Sequence, residues 1–444
     1  HYLNVADAAV WYAIGYDWIY PAFENEPEKL EELADILFKR GVTMGYASTE
    51  KYSAKDFTKV KDIMYISTGR KNSWNFYDRT NNWNTVCTSG MTMACLALLE
   101  KTDTRTIGTD TKTIREFCAE TMADLFRTVH NCFYALAPDG SYMESPGYWS
   151  YGNNTLFLME AALESSCGDD YGFMDAIGLD NTCYYAYYIG NAGNVIWNYH
   201  DGGRVRLDIS SFYYISKHYG NSDFAYLRDC SHKNGGAPYD YMDILYYDSA
   251  LSEGGREPTL SYEMAGIYTA TLRSGWTNSD IFTGLHAGPS IVGHGDMDSG
   301  NIVLEMGGVR FLNDYGSENY NATGYFTTGY DIPFVQGETK LTRYRYFRKG
   351  VEAHNVIFLR SDELPYGQAF NRQTDAAFAK ITRLSENGYG SLAVADMTPQ
   401  YGSDCISAKR ALMLTASRNA VVLQDEMTFG SITTFMSLFT NNNG

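Results

Sequence analysis

The apolar pattern of the chain changes once, near Ser261, and this change most constrains the fold. Before it, apolar residues recur at three- and four-residue steps, as at Val5, Ala8, Ala9 and Tyr12. That spacing is typical of one face of an amphipathic helix. After it, Val, Ile, Thr, Phe and Tyr alternate with polar residues between Gly-rich turns, as in antiparallel strands. The sequence therefore predicts an α+β multidomain chain, with helices first and strands second.

The first half repeats helix, loop and antiparallel helix, with no strands predicted between them. This pattern is typical of stacked helical hairpins and predicts an (α/α) toroid or solenoid. We expect the helix at 27–40 to be closed by Gly41, and a loop at 138–152. The predicted helices cover residues 1–20, 27–40, 56–66, 85–99, 111–136, 154–165, 175–197 and 211–219.

The second half predicts an antiparallel β-sandwich. We place an N-terminal toroid at 1–228, a Gly- and Pro-rich linker at 229–260 and the sandwich at 261–444, with the functional site where the two domains meet. Because the chain opens inside a helix and stops among strands, we expect a fragment with both domains incomplete. Besides one hairpin, the predicted strands are 266–272, 281–287, 354–359, 376–382, 391–397, 408–415 and 420–426.

Charge and composition narrow the classes of partner. The chain has 35 Lys and Arg against 53 Asp and Glu, a net charge of −18, which argues against a general nucleic-acid binder. Tyr is abundant, with 37 residues, and tyrosine faces are common platforms for sugar rings, although packing alone also explains them. No apolar run is long enough to span a membrane. The eight cysteines show no CxxC spacing and are interpreted as buried thiols.

A second short-range signal is the glycine pair Gly307-Gly308 between two apolar runs, which predicts a β-hairpin with a two-residue turn. With these glycines as the turn, Met306 faces Val309 and residue 301 faces residue 314. The hairpin would then gather four titratable groups at its open end: His294, Asp296, Asp298 and Asp314.

Three of the neighbouring groups could hold a cation. Asp296, Asp314 and His354 offer two carboxylates and one imidazole, a ligand set that suits manganese or calcium and also zinc. The alternative is a buried Asp–His hydrogen-bond network without metal, and the residues alone leave both open.

Asn81, Asn82 and Trp83 stand just before a predicted helix. An Asn at this position is usually an N-cap. Side-chain amides can also bind a substrate carboxylate and stabilise its enolate-like form. Both interpretations stay open from the residues alone.

The predicted loop at 138–152 carries Glu144, Tyr148, Trp149 and Tyr151. Loops on a helical scaffold commonly present functional side chains, although these aromatics could equally pack back on the helices. A Tyr phenol can act as a base only if its surroundings lower its pKa from about 10.

A basic segment follows at 342–349. If it is an extended strand, Arg343 and Arg345 share one face. That face would suit a polyanion, although paired surface arginines are the usual explanation.

Taken together, these motifs resemble the heparinase II/III-like polysaccharide lyases, whose architecture is an (α/α) toroid followed by an antiparallel β-sandwich. The resemblance covers most of the chain. It rests on WIYP at 18–21, NNWNTVCTSGMTMACLAL at 81–98, PDG…E…PGYWSYG at 138–152, GHGxxDxG at 293–300 and RYRYFRKGVEAHN at 343–355.

The resemblance implies β-elimination on a uronic-acid polysaccharide, most closely a glycosaminoglycan such as heparan sulfate or heparin. Asn82, together with Asn81, would neutralise the uronate carboxylate. Tyr148 would be either the base or the acid at the bond, and His294 would be its partner. It also implies a secreted or periplasmic location and one structural divalent ion (zinc, manganese or calcium). We assign substrate binding to Asn81, Trp83, Glu144, Trp149, Tyr151, Arg343 and Arg345.

Two departures and three alternatives accompany this interpretation. Metal-bearing members tend to have His-x-His where this chain has His294-Gly-Asp296, and some relatives have a His where Trp83 stands. The alternatives are a lyase of the same fold on alginate, hyaluronan or chondroitin, a glycoside hydrolase using Asp139 and Glu144, or a glycan-binding protein without turnover.

Overall fold

A computed structural model describes residues 2–48, 76, 79–290, 292–326, 343–360, 370–371, 378–430, 434–437 and 439–440. The predicted helix at 56–66 lies outside the described residues. The chain divides into two compact units, one of residues 1–137 and 151–180, the other of residues 138–150 and 181–444. The predicted boundaries at 228 and 261 stay a prediction.

The first unit is helical. The helix Ile114–Phe133, α5, begins with a capping box, in which the side chains of Thr113 and Glu116 each accept a hydrogen bond from the other residue's backbone amide. Helix α4 is buried along almost its whole length. The helices are α1 (Tyr2–Ile19), α2 (Pro27–Leu37), α3 (Thr43–Ala47), α4 (Asn82–Leu98), α5 (Ile114–Phe133) and α6 (Pro146–Cys167), the last of which begins in the second unit.

Two predictions for this unit are wrong. Gly41 does not close a helix, because the chain continues as a π-helical turn, Phe38–Val42, into α3. A Cβ at Gly41 would lie 2.5 Å from Cβ of Ala94, so the glycine lets two helices approach closely. The unit also contains strands, since β1 (Thr104–Ile107) and β2 (Asp110–Thr113) form an antiparallel hairpin.

From residue 181 onward, the second unit first forms helices. The helix predicted at 175–197 is shorter in the structure, where it covers Thr182–Tyr188. The segment predicted as a linker, 229–260, is itself largely helical. The helices are α7 (Thr182–Tyr188), α8 (Phe212–Tyr219), α9 (Ser222–Lys233), α10 (Tyr241–Tyr246) and α11 (Ser249–Gly254).

Antiparallel sheets follow these helices in the described part of this unit. One sheet has the order β3-β4-β5-β6-β7, a second β10-β11-β12-β13 and a third β14-β8-β9. The strands are β3 (Ser261–Met264), β4 (Thr269–Arg273), β5 (Phe282–His286), β6 (Ile302–Met306), β7 (Val309–Leu312), β8 (Ile357–Arg360), β9 (Phe370–Asn371), β10 (Lys380–Asn387), β11 (Gly390–Asp396), β12 (Cys405–Thr415), β13 (Val421–Phe429) and β14 (Thr434–Ser437).

One hydrophobic core joins the two larger sheets. It contains Leu272 and Leu285 from the first sheet and Ala393 and Leu412 from the second, all fully buried. Burying such side chains stabilises the unit by roughly 1.5 to 3 kcal/mol each. The α+β class predicted from the sequence is therefore confirmed.

The predicted hairpin is confirmed at its turn. Met306 pairs with Val309, and Gly307 and Gly308 have φ of 61° and 75°, the left-handed values that a tight hairpin turn needs. The ladder shifts register between Leu304 and Glu305. Residues 301 and 314 are therefore not a ladder pair, although their side chains meet through a hydrogen bond described below.

Six of the eight cysteines are buried, as expected: Cys87, Cys95, Cys118, Cys132, Cys183 and Cys405. Cys230 is half-buried and Cys167 is exposed, and all eight are free thiols.

Among the described helices, none is long and apolar enough to cross a membrane.

Candidate active site

His294 lies on the connection between β5 and β6, near the open end of the predicted hairpin. Its backbone has φ of 64°, an uncommon conformation for a residue other than glycine and one that clusters at functional sites. Its ring stacks on that of Tyr148, with the centroids 3.9 Å apart and the planes 18° apart. Two of the three predicted catalytic side chains are therefore in contact.

Asp201, which the sequence did not suggest, is the partner of His294. Its Oδ2 lies 2.8 Å from Nδ1 of the imidazole. Burial alone would raise the pKa of Asp201, but the hydrogen bond from His294 and the charges of Lys349 and Arg343 lower it below its usual range. The ionised carboxylate accepts the bond, so Nδ1 of His294 carries the hydrogen.

Tyr148 is in the first turns of α6, because that helix begins at Pro146 and not near residue 154 as predicted. Its hydroxyl lies 2.5 Å from that of Tyr320, a second residue that the sequence analysis missed. Burial raises the pKa of Tyr148, and the negative charges of Asp201 and Glu144 raise it further. The hydrogen bond with Tyr320 acts in the opposite direction and lowers this pKa by less than burial raises it. Tyr148 therefore keeps its proton at neutral pH.

Glu144 is buried on the other side of His294. Its Oε2 accepts a hydrogen bond from Tyr142 at 2.7 Å, and its Oε1 lies 3.9 Å from Nε2 of His294. This contact does not test the predicted role of Glu144 in substrate binding. It places a carboxylate near Nε2 of His294.

Behind His294 lies a buried network of two carboxylates and two cations. Oδ1 of Asp201 is 2.9 Å from Arg343 and 2.8 Å from Nζ of Lys349, and Tyr325 donates to the same oxygen. Asp296 is 2.9 Å from Lys349 and 3.5 Å from Arg343. The network holds Asp201 in place from the side opposite to His294.

Within the part of the chain that the structure describes, two groups of buried side chains have metal-ligating atoms within 4.8 Å of one another. One is the predicted set, Asp296, Asp314 and His354. In it, Asp314 accepts hydrogen bonds from Asn301 at 2.8 Å, from His354 at 2.8 Å and from the Gly316 amide at 2.7 Å. Distance would let these groups hold an ion, and Oδ1 of Asp296 and Nε2 of His354 have no hydrogen-bond partner among the described residues, but Asp296 already lies 2.9 Å from the ammonium of Lys349.

The second group, His200, His286 and Asp298, was not predicted. Nδ1 of His286 is 2.7 Å from Oγ1 of Thr269, whose hydrogen goes to the carbonyl of Ile267. Burial lowers the pKa of His286 to about 3 and raises the pKa of Asp298 well above its usual range. Burial also lowers the pKa of His200. Burial therefore disfavours the charged form of all three groups.

The Asn motif lies in the first unit. Asn81 is the N-cap of α4, and its side chain accepts from the Trp83 amide at 3.2 Å, as the simpler interpretation predicted. Asn82 is the first residue of that helix and is buried. Trp83 packs partly against the apolar cluster around Val86.

The remaining predicted binding residues are mostly engaged inside their own units. Trp149 is fully buried and donates to Oγ1 of Thr182 at 2.7 Å, which does not support a role as a sugar platform. The hydroxyl of Tyr151 donates to Asp7 at 2.8 Å. The predicted extended strand at 342–349 is wrong, since Arg343 lies in a 3₁₀ turn and is buried. The Arg345 side chain lies outside the described part of the chain.

Comparison with known proteins identifies the fold. It is the fold of the heparinase-like lyases, as the sequence resemblance predicted. The chain is similar to a crystal structure of heparinase III, with a TM-score of 0.59 and 15% identity over 97% of this chain. It is also similar to heparan sulfate lyase HepC from Pedobacter heparinus, with a TM-score of 0.53 and 13% identity over 97% of this chain.

The likeness is structural and partial. The chain spans about half the length of both structures, 55% of the first and 54% of the second. Neither a protein-family model nor a curated protein matches the sequence.

Proposed function

We propose that the protein is a polysaccharide lyase that cleaves a uronic-acid polysaccharide by β-elimination. The observation that carries the proposal is the contact of Asp201, His294 and Tyr148 within a heparinase-like fold. The substrate proposed first is a glycosaminoglycan such as heparan sulfate or heparin. Alginate, hyaluronan and chondroitin are the other candidates, and the proposed location is secreted or periplasmic.

The chemistry assigns one proton transfer to each side chain. β-Elimination removes the proton on C5 of the uronate, forms the double bond between C4 and C5, and breaks the bond from C4 to the leaving oxygen. Nε2 of His294, with its lone pair, would take the C5 proton. The Tyr148 hydroxyl, kept protonated by its surroundings, would donate a proton to the leaving oxygen.

Asn82 completes the proposal through the resemblance alone. Neutralising the uronate carboxylate makes the C5 proton more acidic, and a side-chain amide can do this by hydrogen bonding. The resemblance is also the basis on which we propose an (α/α) toroid and an antiparallel β-sandwich as the architecture of the chain. We leave the predicted divalent ion out of the proposal, because the ammonium of Lys349 already lies 2.9 Å from Asp296.

A glycoside hydrolase is the weaker alternative. It would need Asp139 as one of two carboxylates flanking the sugar bond. Asp139 instead accepts hydrogen bonds from Oγ of Ser141 at 2.6 Å and from the Ala265 amide at 2.5 Å. These contacts suit a structural role.

The test is ultraviolet absorbance during incubation with heparan sulfate, heparin, chondroitin sulfate, hyaluronan and alginate. Elimination produces an unsaturated uronate that absorbs, whereas hydrolysis produces only reducing ends. We expect a rise with at least one polysaccharide, and its loss in His294→Ala. Reducing ends without absorbance would refute elimination, and binding without either product would indicate a glycan-binding protein.

A further inference from the structure

Lys349 is a fully buried ammonium surrounded by oxygen atoms. Its Nζ lies 2.9 Å from each carboxylate oxygen of Asp296, 2.8 Å from Oδ1 of Asp201 and 3.3 Å from the carbonyl oxygen of His200. A set of carboxylate and carbonyl oxygens around one positive charge is what a hard cation site offers. Here the positive charge belongs to the chain itself.

The charges around this position are balanced without an added ion. Two carboxylates, Asp201 and Asp296, face two cations, Lys349 and Arg343, at 2.8 to 3.5 Å. A divalent ion bound to Asp296 would lie close to this ammonium, and repulsion between two positive charges in a buried site is unfavourable. Asp314 is equally occupied, by three hydrogen-bond donors.

We propose that the Lys349 ammonium, held between Asp201 and Asp296, is the resident cation of this site and neutralises Asp296 without a divalent ion. Through Asp201 it holds the imidazole of His294 in its working orientation. This last role rests on the proposed function. Lys349 is thus a positioning residue, because it acts on His294 through the Asp201 carboxylate and does not touch the reacting atoms.

The cation part is tested on the wild-type chain without any substrate. We expect no stoichiometric metal by elemental analysis, and the same melting temperature with and without a chelator. Stoichiometric metal that is lost in Asp296→Asn but kept in His286→Ala would overturn the inference. The His286→Ala variant reports on the second ligand group and shows which of the two holds any ion found.

The positioning part is tested with Lys349→Met, which keeps the length of the side chain and removes its charge. We expect kcat to fall about 100-fold with KM nearly unchanged. The matched control is Arg228→Met. Arg228 is also buried and bonds both oxygens of Asp243 at 2.8 Å, so its loss should lower stability without this fall in kcat.

Lys349→Met leaves Asp296 without its closest cation, so the single variant is accompanied by Lys349→Met/Asp296→Asn, which removes one charge of each sign. The double variant should recover much of the melting temperature and keep the low kcat. Wild-type kcat in either folded variant would refute the positioning role. If the wild type eliminates no polysaccharide, the proposed function fails, while the metal and melting results still decide whether Lys349 is the resident cation.

Discussion

Replacing Asp201 by Asn tests the proposed site most sharply, because it changes one oxygen to nitrogen. An Asn oxygen can still accept from Arg343 and Lys349, as Oδ1 of Asp201 does at 2.9 and 2.8 Å. The amide nitrogen, a donor, would then face Nδ1 of His294. The imidazole can accept that bond only if its hydrogen moves to Nε2, which removes the lone pair proposed to take the C5 proton.

The size of each effect follows from these contacts. Loss of a general base held in the right tautomer should lower kcat by about 10² to 10⁴-fold. KM should change little, because the substitution touches a group behind the imidazole. The variant also removes a negative charge beside two buried cations, which should lower the free energy of unfolding by about 3 kcal/mol.

The assay is the initial rate of ultraviolet absorbance, measured beside thermal melting, and the control is Asp243→Asn. Asp243 is buried against Arg228 as Asp201 is against its cations, so the control should lose comparable stability. Its kcat should stay within about twofold of wild type. If Asp201→Asn keeps its rate, or loses no more than the control, Asp201 does not set the tautomer of His294.

Three further variants test neighbouring parts of the proposal. Tyr148→Phe should abolish elimination, by about 10² to 10⁴-fold in kcat, while its melting temperature changes little, since only one hydroxyl is lost; a wild-type rate would exclude Tyr148 as the acid. Asn82→Ala should lower kcat with little change in KM if its amide stabilises the enolate-like state, and a change in KM alone would indicate binding only. For His354, burial lowers the pKa but the Asp314 charge and hydrogen bond raise it to about 9. Protonated His354 should therefore add up to about 3 kcal/mol to the free energy of unfolding. This contribution should be complete below the unfolded pKa of about 6.5 and should be lost as pH rises through about 9. Asp314→Asn should flatten that part of the pH–melting curve, and an unchanged curve would contradict the assignment.

Local chemistry explains what the sequence could predict. Gly307-Gly308 specifies a hairpin turn because both residues adopt positive φ at low cost. Once the turn is known, the titratable groups can be placed near the open end of the same hairpin. Thr113 and Glu116 likewise mark the start of α5. Such signals act within a few residues, so they can be recognised before the fold is known.

The rest of the site depends on contacts between distant segments. Asp201, Lys349 and Tyr320 come from three separate stretches, and no spacing links them to His294 in the sequence. Arg343 was expected on a surface strand because it alternates with aromatics. Its burial became favourable only where the fold supplied Asp201 and Asp296, which neither a periodicity nor a composition can show.

A single carboxylate accounts for the proposed division of labour between the two catalytic side chains. Asp201 accepts the Nδ1 hydrogen of His294, and we propose that Nε2 is the nitrogen that takes the C5 proton. The same negative charge raises the pKa of Tyr148 together with burial and Glu144, so the phenol keeps the proton that it would donate. A Tyr acting as the base would need the opposite surroundings, with cations beside its hydroxyl. Here Arg343 and Lys349 are bonded to Asp201, and Arg343 lowers the pKa of Tyr148 less than burial raises it. We therefore propose His294 as base and Tyr148 as acid.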